Sequence, residues 1–408
     1  MVSPSQVSAT GAAHAQPVTK VFLTLWPIVA VVFMGFLTIG IQLSVLPLHV
    51  SEALGMDSLV VGAVVAAQFA AALCTRVWAG NVADMQGPRR AVLLGLLVVA
   101  CSGLAYGVSL FVPAHSSGAL WLLVLGRVLL GCGESLIVTG ALSWAVGLVG
   151  PQHAGQVMAW VGIAMYGAYA AGAPLGLALQ HDYGFAGIAL AAIACPVLAM
   201  LPLLQLRAVA AVAQRRTPFY QVLGQVWRAG MGLALCSVGF GVLSAFVALL
   251  FAARDWGQAS LAFTAFGVAF ILARMLLGHV PDKHGGARVA LVCVLIEAVG
   301  LLCIWSAPTP VLAYVGAALT GLGYSLAFPG FGVEAVRHVA AQSRGVAMGA
   351  YVAFLDMSLA ITAPALGALV GVWGIGSAFL VAAVLVALSV LVALRLMRLP
   401  VSVGAAHA

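Results

Sequence analysis

Residues 80–90 of this chain read Gly80-Asn81-Val82-Ala83-Asp84-Met85-Gln86-Gly87-Pro88-Arg89-Arg90. The same skeleton returns 198 residues later as Gly278-His279-Val280-Pro281-Asp282-Lys283-His284-Gly285-Gly286-Ala287-Arg288. Counted from one helical turn upstream, both copies read Arg-x3-Gly-x3-Asp-x2-Gly-x2-Arg, and they begin at Arg76 and Arg274. These five positions, with Val82 matching Val280 as a sixth, recur at one offset and indicate an internal repeat. The chain is therefore predicted to contain two copies of one unit, with this loop at the same joint in each.

The composition excludes an ordinary soluble domain. Apolar residues make up 64% of the 408 residues and charged residues only 7%, whereas about a quarter of a typical soluble domain is charged. Most of the outer surface is therefore expected to face lipid. The seven cysteines all lie in apolar runs, without the spacing of a metal site, so we predict neither a metal nor a cofactor.

Polar or Gly/Pro-rich breaks divide the chain into twelve apolar runs, each long enough to cross a hydrocarbon core of about 30 Å as a helix. Helices are expected because lipid leaves the backbone of an open sheet unsatisfied. The predicted fold is an all-α membrane protein with twelve transmembrane helices in two pseudo-symmetric six-helix halves. The predicted spans are 22–50, 59–80, 91–113, 119–147, 156–180, 185–206, 229–253, 259–280, 289–306, 311–334, 346–372 and 377–398.

The predicted organisation has five parts: an N-terminal tail at 1–20, a six-helix half at 21–206, a linker at 207–228, a second six-helix half at 229–398 and a C-terminal tail at 399–408. Arginines are interleaved with aromatic and aliphatic side chains in the linker, which predicts a short amphipathic helix on the membrane surface. The other loops are too short to hold a soluble catalytic domain.

The basic residues lie almost entirely on one side of the predicted membrane. If the N-terminus is inside, thirteen of them fall in the tails and the cytoplasmic loops, and only Arg254 falls on the other side. By the positive-inside rule, both termini are predicted to be cytoplasmic. This asymmetry also explains the net charge of +7 by orientation and anionic lipid, so we predict no nucleic-acid partner.

The repeat extends beyond the loop at an offset of 190. The segment 131–136 matches 321–326, Ala173-Pro174 matches Ala363-Pro364, and Asp356 in span eleven takes the place of Tyr166 in span five. Parallel six-helix halves with a cavity between them are an architecture of transporters.

The opening stretch resembles the G-x3-D-x2-G-R-R loop between spans two and three of the major facilitator superfamily, and both copies are present. Arg127-x3-Gly131-x-Gly133 is similar to the superfamily's second motif. Gly172-Ala173-Pro174-Leu175-Gly176 resembles the G-P-x-x-G motif of its antiporters, with Ala173 inserted before the proline. The resemblance covers residues 20–400 and is closest to the YhhS/YfcJ-like branch of bacterial inner-membrane transporters. It implies alternating access, with span four beside the central cavity.

Two charged residues of span four are the first candidates for transport chemistry. Arg127 and Glu134 are separated by two turns, about 10.5 Å along one face, which is too far for a direct pair. Our hypothesis is that Glu134 takes and releases a proton while Arg127 holds an anionic group. The alternative is that both form buried interhelical ion pairs that fix the packing.

Four further residues are considered beside them, because charged and polar side chains are unfavourable inside a membrane unless they have a structural or functional role. Asp356 lies near the middle of span eleven and is a candidate second proton or substrate site, with a pair to Arg127 as a variant. Gln42 and Tyr166 are polar points that could line the cavity, although each could equally be a satisfied packing residue. Glu297 is expected to be structural.

The repeated loop is predicted to act as a cytoplasmic gate. Arg76 and Arg274 are placed about one turn from the cytoplasmic ends of their spans, where they can pair with Asp84 and Asp282. The alternative is a loop that only sets topology. Glu334, close to Arg337, is expected to be an interface or gate residue. Pro174 is expected to kink span five, because proline removes a helix hydrogen bond. The gate motif comprises Arg76, Gly80, Asp84, Gly87, Arg89 and Arg90 with Arg274, Gly278, Asp282, Gly285 and Arg288, and the span-five motif comprises Gly172, Pro174 and Gly176.

The sequence therefore predicts a secondary active transporter of the bacterial inner membrane, driven by protons. The span-five motif favours efflux of a small organic molecule or drug, and uptake of a small metabolite such as a sugar or organic acid is the alternative. The chain has no nucleotide-binding loop and no hydrolase motif, so an ATP-driven pump and an enzyme are disfavoured. The expected partners are a small-molecule substrate, protons and the lipid bilayer, and the expected state is a monomer.

Overall fold

A computed structural model describes residues 18–113, 116–150, 153–203, 219–337, 339 and 344–398. These residues are almost entirely helical, and no strand occurs among them. The helices are α1 (Val18–Leu43), α2 (Leu46–Leu48), which runs into a π-helical turn (His49–Ala53), α3 (Ser58–Gln86), α4 (Pro88–Ser109), α5 (Ser117–Val149), α6 (Ala154–Leu203), α7 (Phe219–Ala253), α8 (Ser260–Leu277), α9 (Val280–His284), α10 (Gly286–Ser306), α11 (Pro310–Val336), α12 (Arg344–Trp373) and α13 (Ile375–Met397).

Eleven helices of the described chain are long and apolar enough to cross a membrane. One of them, α6, has 50 residues and would be about 75 Å long, more than twice the hydrocarbon thickness. Its backbone is interrupted at Gly184, where φ is 62° and ψ is −160°. Helix α6 therefore contains two spans, and the predicted total of twelve is confirmed. Pro174 lies inside α6 with helical dihedral angles, and the interruption at Gly184 lies between spans five and six; the predicted kink at Pro174 stays a prediction.

The repeated loop is a one-residue turn. Gly87 separates α3 from α4 with φ 95° and ψ 146°, and Gly285 separates α9 from α10 with φ 89° and ψ 135°. Both conformations disfavour any residue with a Cβ atom, which explains the glycine in each copy. The predicted end of span two near Gly80 was wrong, because α3 continues to Gln86.

The second copy of the loop differs from the first by a break in the helix. Helix α8 ends at Leu277, and the short helix α9 follows from Val280. Pro281 explains this break, since its ring clashes with the carbonyl group four residues earlier and it lacks an N–H. The carbonyl in question belongs to Leu277, the last residue of α8.

The two halves meet mainly along two helix pairs, α3 with α12 and α6 with α8. We call the end of the bundle that carries the Gly87 and Gly285 turns the arginine-rich end, after Arg89, Arg90 and Arg288. Both pairs pack very closely, α3 with α12 near the opposite end and α6 with α8 nearer the middle of the bundle. A Cβ atom on Gly62 of α3 would collide with the backbone of Ala363 in α12, and one on Gly267 of α8 would collide with α6.

The span-five motif has a packing role within the first half. A Cβ atom at Gly172 would collide with the backbone of Gly40 in α1, and one at Gly176 would collide with the carbonyl of Ile41. These glycines let α6 and α1 approach backbone to backbone, as small residues do in membrane bundles.

The predicted linker is only partly described. Residues 219–228 form the first turns of α7 and continue directly into the span, rather than a separate surface helix. The rest of the predicted surface helix, 207–218, lies outside the described residues.

Glu297 of α10 is buried inside the second half with no exposed surface. Neither of its carboxyl oxygens has a hydrogen-bond partner among the described residues. It packs on Gly323 in α11, as Val99 of α4 packs on the repeat-equivalent Gly133 in α5. The second half therefore places a carboxyl group where the first half uses an aliphatic side chain, and Gly239 of α7 leaves room for it.

Replacing Glu297 by methionine is expected to stabilise the protein. Methionine fills a similar volume, and the change removes a buried polar group without a partner, which costs about 1–3 kcal/mol. The thermal unfolding midpoint of purified Glu297→Met should therefore rise. The matched variant Val99→Glu, which places the same carboxyl in the first half, should lower it. A lower midpoint for Glu297→Met would show that the carboxyl group is stabilised by a partner.

Candidate functional site

An ion pair joins the two halves in the middle of the bundle. Asp356 of α12 accepts a hydrogen bond from Nε of Arg76 in α3 at 2.7 Å, and Nη2 of Arg76 contacts the same oxygen. The Asp356 side chain is 4% exposed and the Arg76 side chain 17%. Arg76 lies ten residues before the end of α3, about 15 Å along the helix. The predicted position one turn from the end was therefore wrong.

The second pair of helices carries the repeat-equivalent contact. Arg274 of α8 corresponds to Arg76, and Tyr166 of α6 corresponds to Asp356. The ring of Tyr166 stacks on Phe270 of α8, with centroids 3.9 Å apart. The guanidinium carbon of Arg274 lies 5.3 Å from the centroid of the same Phe270 ring. The contact between α3 and α12 is therefore an ion pair. The contact between α6 and α8 is a stack of two rings with the Arg274 cation beside it.

Glu134 of α5 lies next to the ion pair but is not part of it. Its Oε2 accepts a hydrogen bond from Nε2 of Gln68 in α3 at 2.6 Å. Asp356 and Arg76 are close enough to act on its charge. Glu134 forms no ion pair with any described residue, and its side chain is partly exposed. We call Gln68, Arg76, Glu134 and Asp356 the central polar cluster.

Arg127 lies inside the first half, away from solvent. It is 2% exposed, and it donates to the Oε1 of Gln42 and to the carbonyl of Val65, both at 3.3 Å. Gln42 in turn donates to the carbonyl of Thr38 at 3.0 Å. In this conformation, Arg127 and Gln42 tie α1, α3 and α5 together, and neither faces open space.

The structure pairs Asp356 with an arginine of the first half, but the partner is Arg76 and not Arg127. The predicted partner of Arg76 was Asp84, which lies in the last turn of α3, two turns beyond it. In the repeat, Arg76 corresponds to Arg274 and Asp356 corresponds to Tyr166, so the sequence related these positions between the two halves. It contained no signal for the rotation of α3 and α12 that brings their side chains into contact.

The loop residues surround the turn glycines. Arg90 and Arg288 are exposed, Arg89 and Asp84 are partly buried, and the side chain of Asp282 lies outside the described residues. Near the second copy, Glu334 of α11 accepts a hydrogen bond from the backbone N–H of Ala287 at 3.3 Å. Since Ala287 is the second residue of α10, the carboxylate lies at the positive end of that helix.

Glu334 also pairs with Arg337 at 3.0 Å, as its position in the sequence suggested. No group of three or more His, Cys, Asp or Glu side chains suited to a metal occurs in the described part of the chain. The site is therefore built from charge pairs, amides and aromatic rings.

Comparison with known proteins identifies relatives of this arrangement. The family model of the Major Facilitator Superfamily matches residues 28–252 and 229–407. A relative in Salmonella typhimurium, described as an uncharacterized MFS-type transporter, is 44% identical over 376 residues, which cover 92% of this chain and 97% of the relative.

Two solved structures share the fold. The POT family transporter PepTSo aligns with a TM-score of 0.75 at 11% identity over 92% of this chain and 98% of that chain. A D-xylose-proton symporter aligns with a TM-score of 0.74 at 15% identity over 91% and 96% of the two chains. At these identities the likeness concerns the fold alone.

Proposed function

Because the chain belongs to the Major Facilitator Superfamily of transporters, we propose that it is a proton-coupled transporter that exports a small organic molecule by alternating access. Its relatives are bacterial membrane transporters and not enzymes, which supports a place in the bacterial inner membrane. We further propose that the arginine-rich end faces the cytoplasm, as the distribution of basic residues favours.

The observation that carries the proton coupling is the contrast between two carboxyl groups. Asp356 is held by Arg76, whereas Glu134 is partly exposed and hydrogen-bonded only to an amide. An amide suits both protonation states, because its N–H donates to a carboxylate and its C=O accepts from a carboxylic acid. The Oε1 of Gln68 is buried without another partner and is therefore free for this second role. We assign the exchangeable proton to Glu134.

The coupling to movement follows from the neighbours of Glu134. Its charge acts on Asp356 and Arg76, which form the ion pair between the halves. A negative Glu134 competes with Asp356 for Arg76, whereas a neutral Glu134 leaves that pair undisturbed. Proton binding would therefore change the strength of the contact between α3 and α12. Near the opposite end the same helices are tightly packed at Gly62 and Ala363, so the halves would separate first at the arginine-rich end.

The two repeated loops would form the gate at that end. The turn glycines Gly87 and Gly285 keep α3 against α4 and α9 against α10. Glu334 joins α11 to the start of α10 beside the second loop. The export direction is supported by the resemblance of the span-five motif to that of antiporters. Proton-coupled uptake of a small metabolite is the second candidate.

Purified protein in proteoliposomes tests the proposal. A panel of drugs, sugars and organic acids is offered, and a pH step is imposed across the membrane. For at least one compound we expect movement against its own gradient that stops when a protonophore collapses the pH step. Vesicles without protein provide the background. Downhill movement that ignores the pH step would contradict proton coupling.

A further inference from the structure

We propose that Arg274 and the aromatic side chains around it form a binding site for an organic anion, a carboxylate or sulfonate on an aromatic or apolar body. The inference deepens the proposed transport function, since it names the class of molecule that the space between the halves would take. It rests on that function only in placing the cargo between α6 and α8.

The positive charge of Arg274 lacks the counter-charge that its repeat equivalent has. Its repeat equivalent, Arg76, is neutralised by Asp356, but the corresponding position opposite Arg274 is Tyr166. None of the acidic side chains that the structure describes forms an ion pair with Arg274, and its Nε is buried without a hydrogen-bond partner. A cation inside a membrane bundle is unfavourable without a partner. An anionic ligand would supply the partner that the second half lacks.

The aromatic surroundings define the rest of the ligand. Phe270 and Tyr166 form a stack next to the guanidinium, and the charge of Arg274 also acts on Tyr324 and Tyr351. Tyr324 lies with its ring centroid 5.8 Å from that of Tyr166. Aromatic faces pack well against flat apolar groups, and small-molecule sites commonly combine such walls with one charged group. These rings pack on one another and are almost fully buried in this conformation; once the halves move apart, they would suit an anion that carries a ring better than a small inorganic anion.

The backbone of α6 is open beside the guanidinium. Gly162 of α6, one turn before Tyr166, faces Arg274 across the boundary between the halves. A Cβ atom on Gly162 would have only one neighbour within 4 Å, the Nη2 of Arg274 at 3.9 Å. A ligand at this point would touch α6 of the first half and α8 of the second, so its binding would bear on the contact between them.

Binding of benzoate to purified protein in lipid nanodiscs tests the proposal. Benzoate is compared with benzyl alcohol, which lacks the charge, with benzylammonium, which reverses it, and with acetate, which lacks the ring. We expect benzoate alone of the four to raise the thermal unfolding midpoint in a saturable manner. Arg274→Gln should weaken benzoate binding by at least about tenfold, and Arg274→Lys should retain part of it.

Lys283→Gln is the matched control, since it removes one exposed positive charge of α9 and should leave benzoate binding unchanged. The unfolding midpoint without ligand shows whether each variant is folded. If Arg274→Gln does not fold, the benzoate binding of Arg274→Lys is compared with that of the unchanged protein instead. Equal effects of benzoate and benzyl alcohol, or full benzoate binding by Arg274→Gln, would overturn the proposal. No pH step is used, so a failure here is separate from a failure of proton coupling.

Discussion

Arg76→Gln is expected to lower the thermal unfolding midpoint more than any other substitution considered for this protein. The change leaves Asp356, whose side chain is 4% exposed, as a buried charge without its partner. Removing one member of a buried ion pair typically costs about 3–5 kcal/mol, because the remaining charge keeps its desolvation penalty. Asp356→Asn should cost less, since Arg76 is 17% exposed and can still reach water.

The double variant distinguishes the interaction between the two charges from the effect of losing each charge alone. In Arg76→Gln/Asp356→Asn neither charge remains, so the double variant should be more stable than Arg76→Gln alone. A pair without coupling would instead give a double variant whose loss is the sum of the two single losses. Arg337→Gln is the control, because Arg337 is 32% exposed and the Glu334 carboxylate keeps its hydrogen bond from the backbone N–H of Ala287, so its loss of stability should be smaller than that of Arg76→Gln.

The same pair should matter for transport, because Arg76 and Asp356 belong to different halves. Breaking it removes an attraction between α3 and α12 that is present in this conformation. We therefore expect both single variants to shift the balance between conformations as well as to lose stability. The charge-swapped variant Arg76→Asp/Asp356→Arg restores the attraction and should recover part of the stability that each single variant loses.

The helices could be predicted from the sequence because the membrane leaves little choice. A segment that crosses lipid must satisfy its own backbone, so twelve apolar runs gave twelve spans with small errors at their ends. The turns at Gly87 and Gly285 were predicted for a similar reason, since the repeated glycine marks a backbone conformation. The end of α3 was not predicted, because a helix can continue past its apolar part, and Asp84 lies in that continuation.

The contacts of the site could be predicted only in part. The repeat related Arg76 to Arg274 and Asp356 to Tyr166, so the sequence contained the positions but not the contact between them. Arg76 and Asp356 are 280 residues apart, and their distance depends on how α3 and α12 pack. Charge alone made Arg127 an equally good partner. The structure places Arg127 inside the first half, where its Nη1 donates to Gln42 and its Nη2 to the carbonyl of Val65.

Glu134→Gln is expected to abolish transport driven by a pH step while leaving the protein folded. Glutamine has the size of the neutral acid and still accepts a hydrogen bond from Nε2 of Gln68, so the packing of α5 against α3 should persist. It cannot release a proton, and the competition with Asp356 for Arg76 can therefore no longer be switched. Uphill transport should fall to the level of empty vesicles, whereas exchange of substrate across the membrane, which needs no net proton movement, should continue.

Two further variants show whether the proton belongs to Glu134 in particular. Glu52→Gln removes an exposed carboxylate at the opposite end of the bundle and should leave pH-driven transport unchanged. Gln68→Leu removes the amide but keeps the carboxyl group, so transport should remain proton-driven with a shifted dependence on pH, because neither protonation state of Glu134 then has its hydrogen-bond partner. If Glu134→Gln retains full pH-driven transport, the exchangeable proton lies elsewhere. Asp356 would then be the next carboxyl group to test, through the pH dependence of Asp356→Asn.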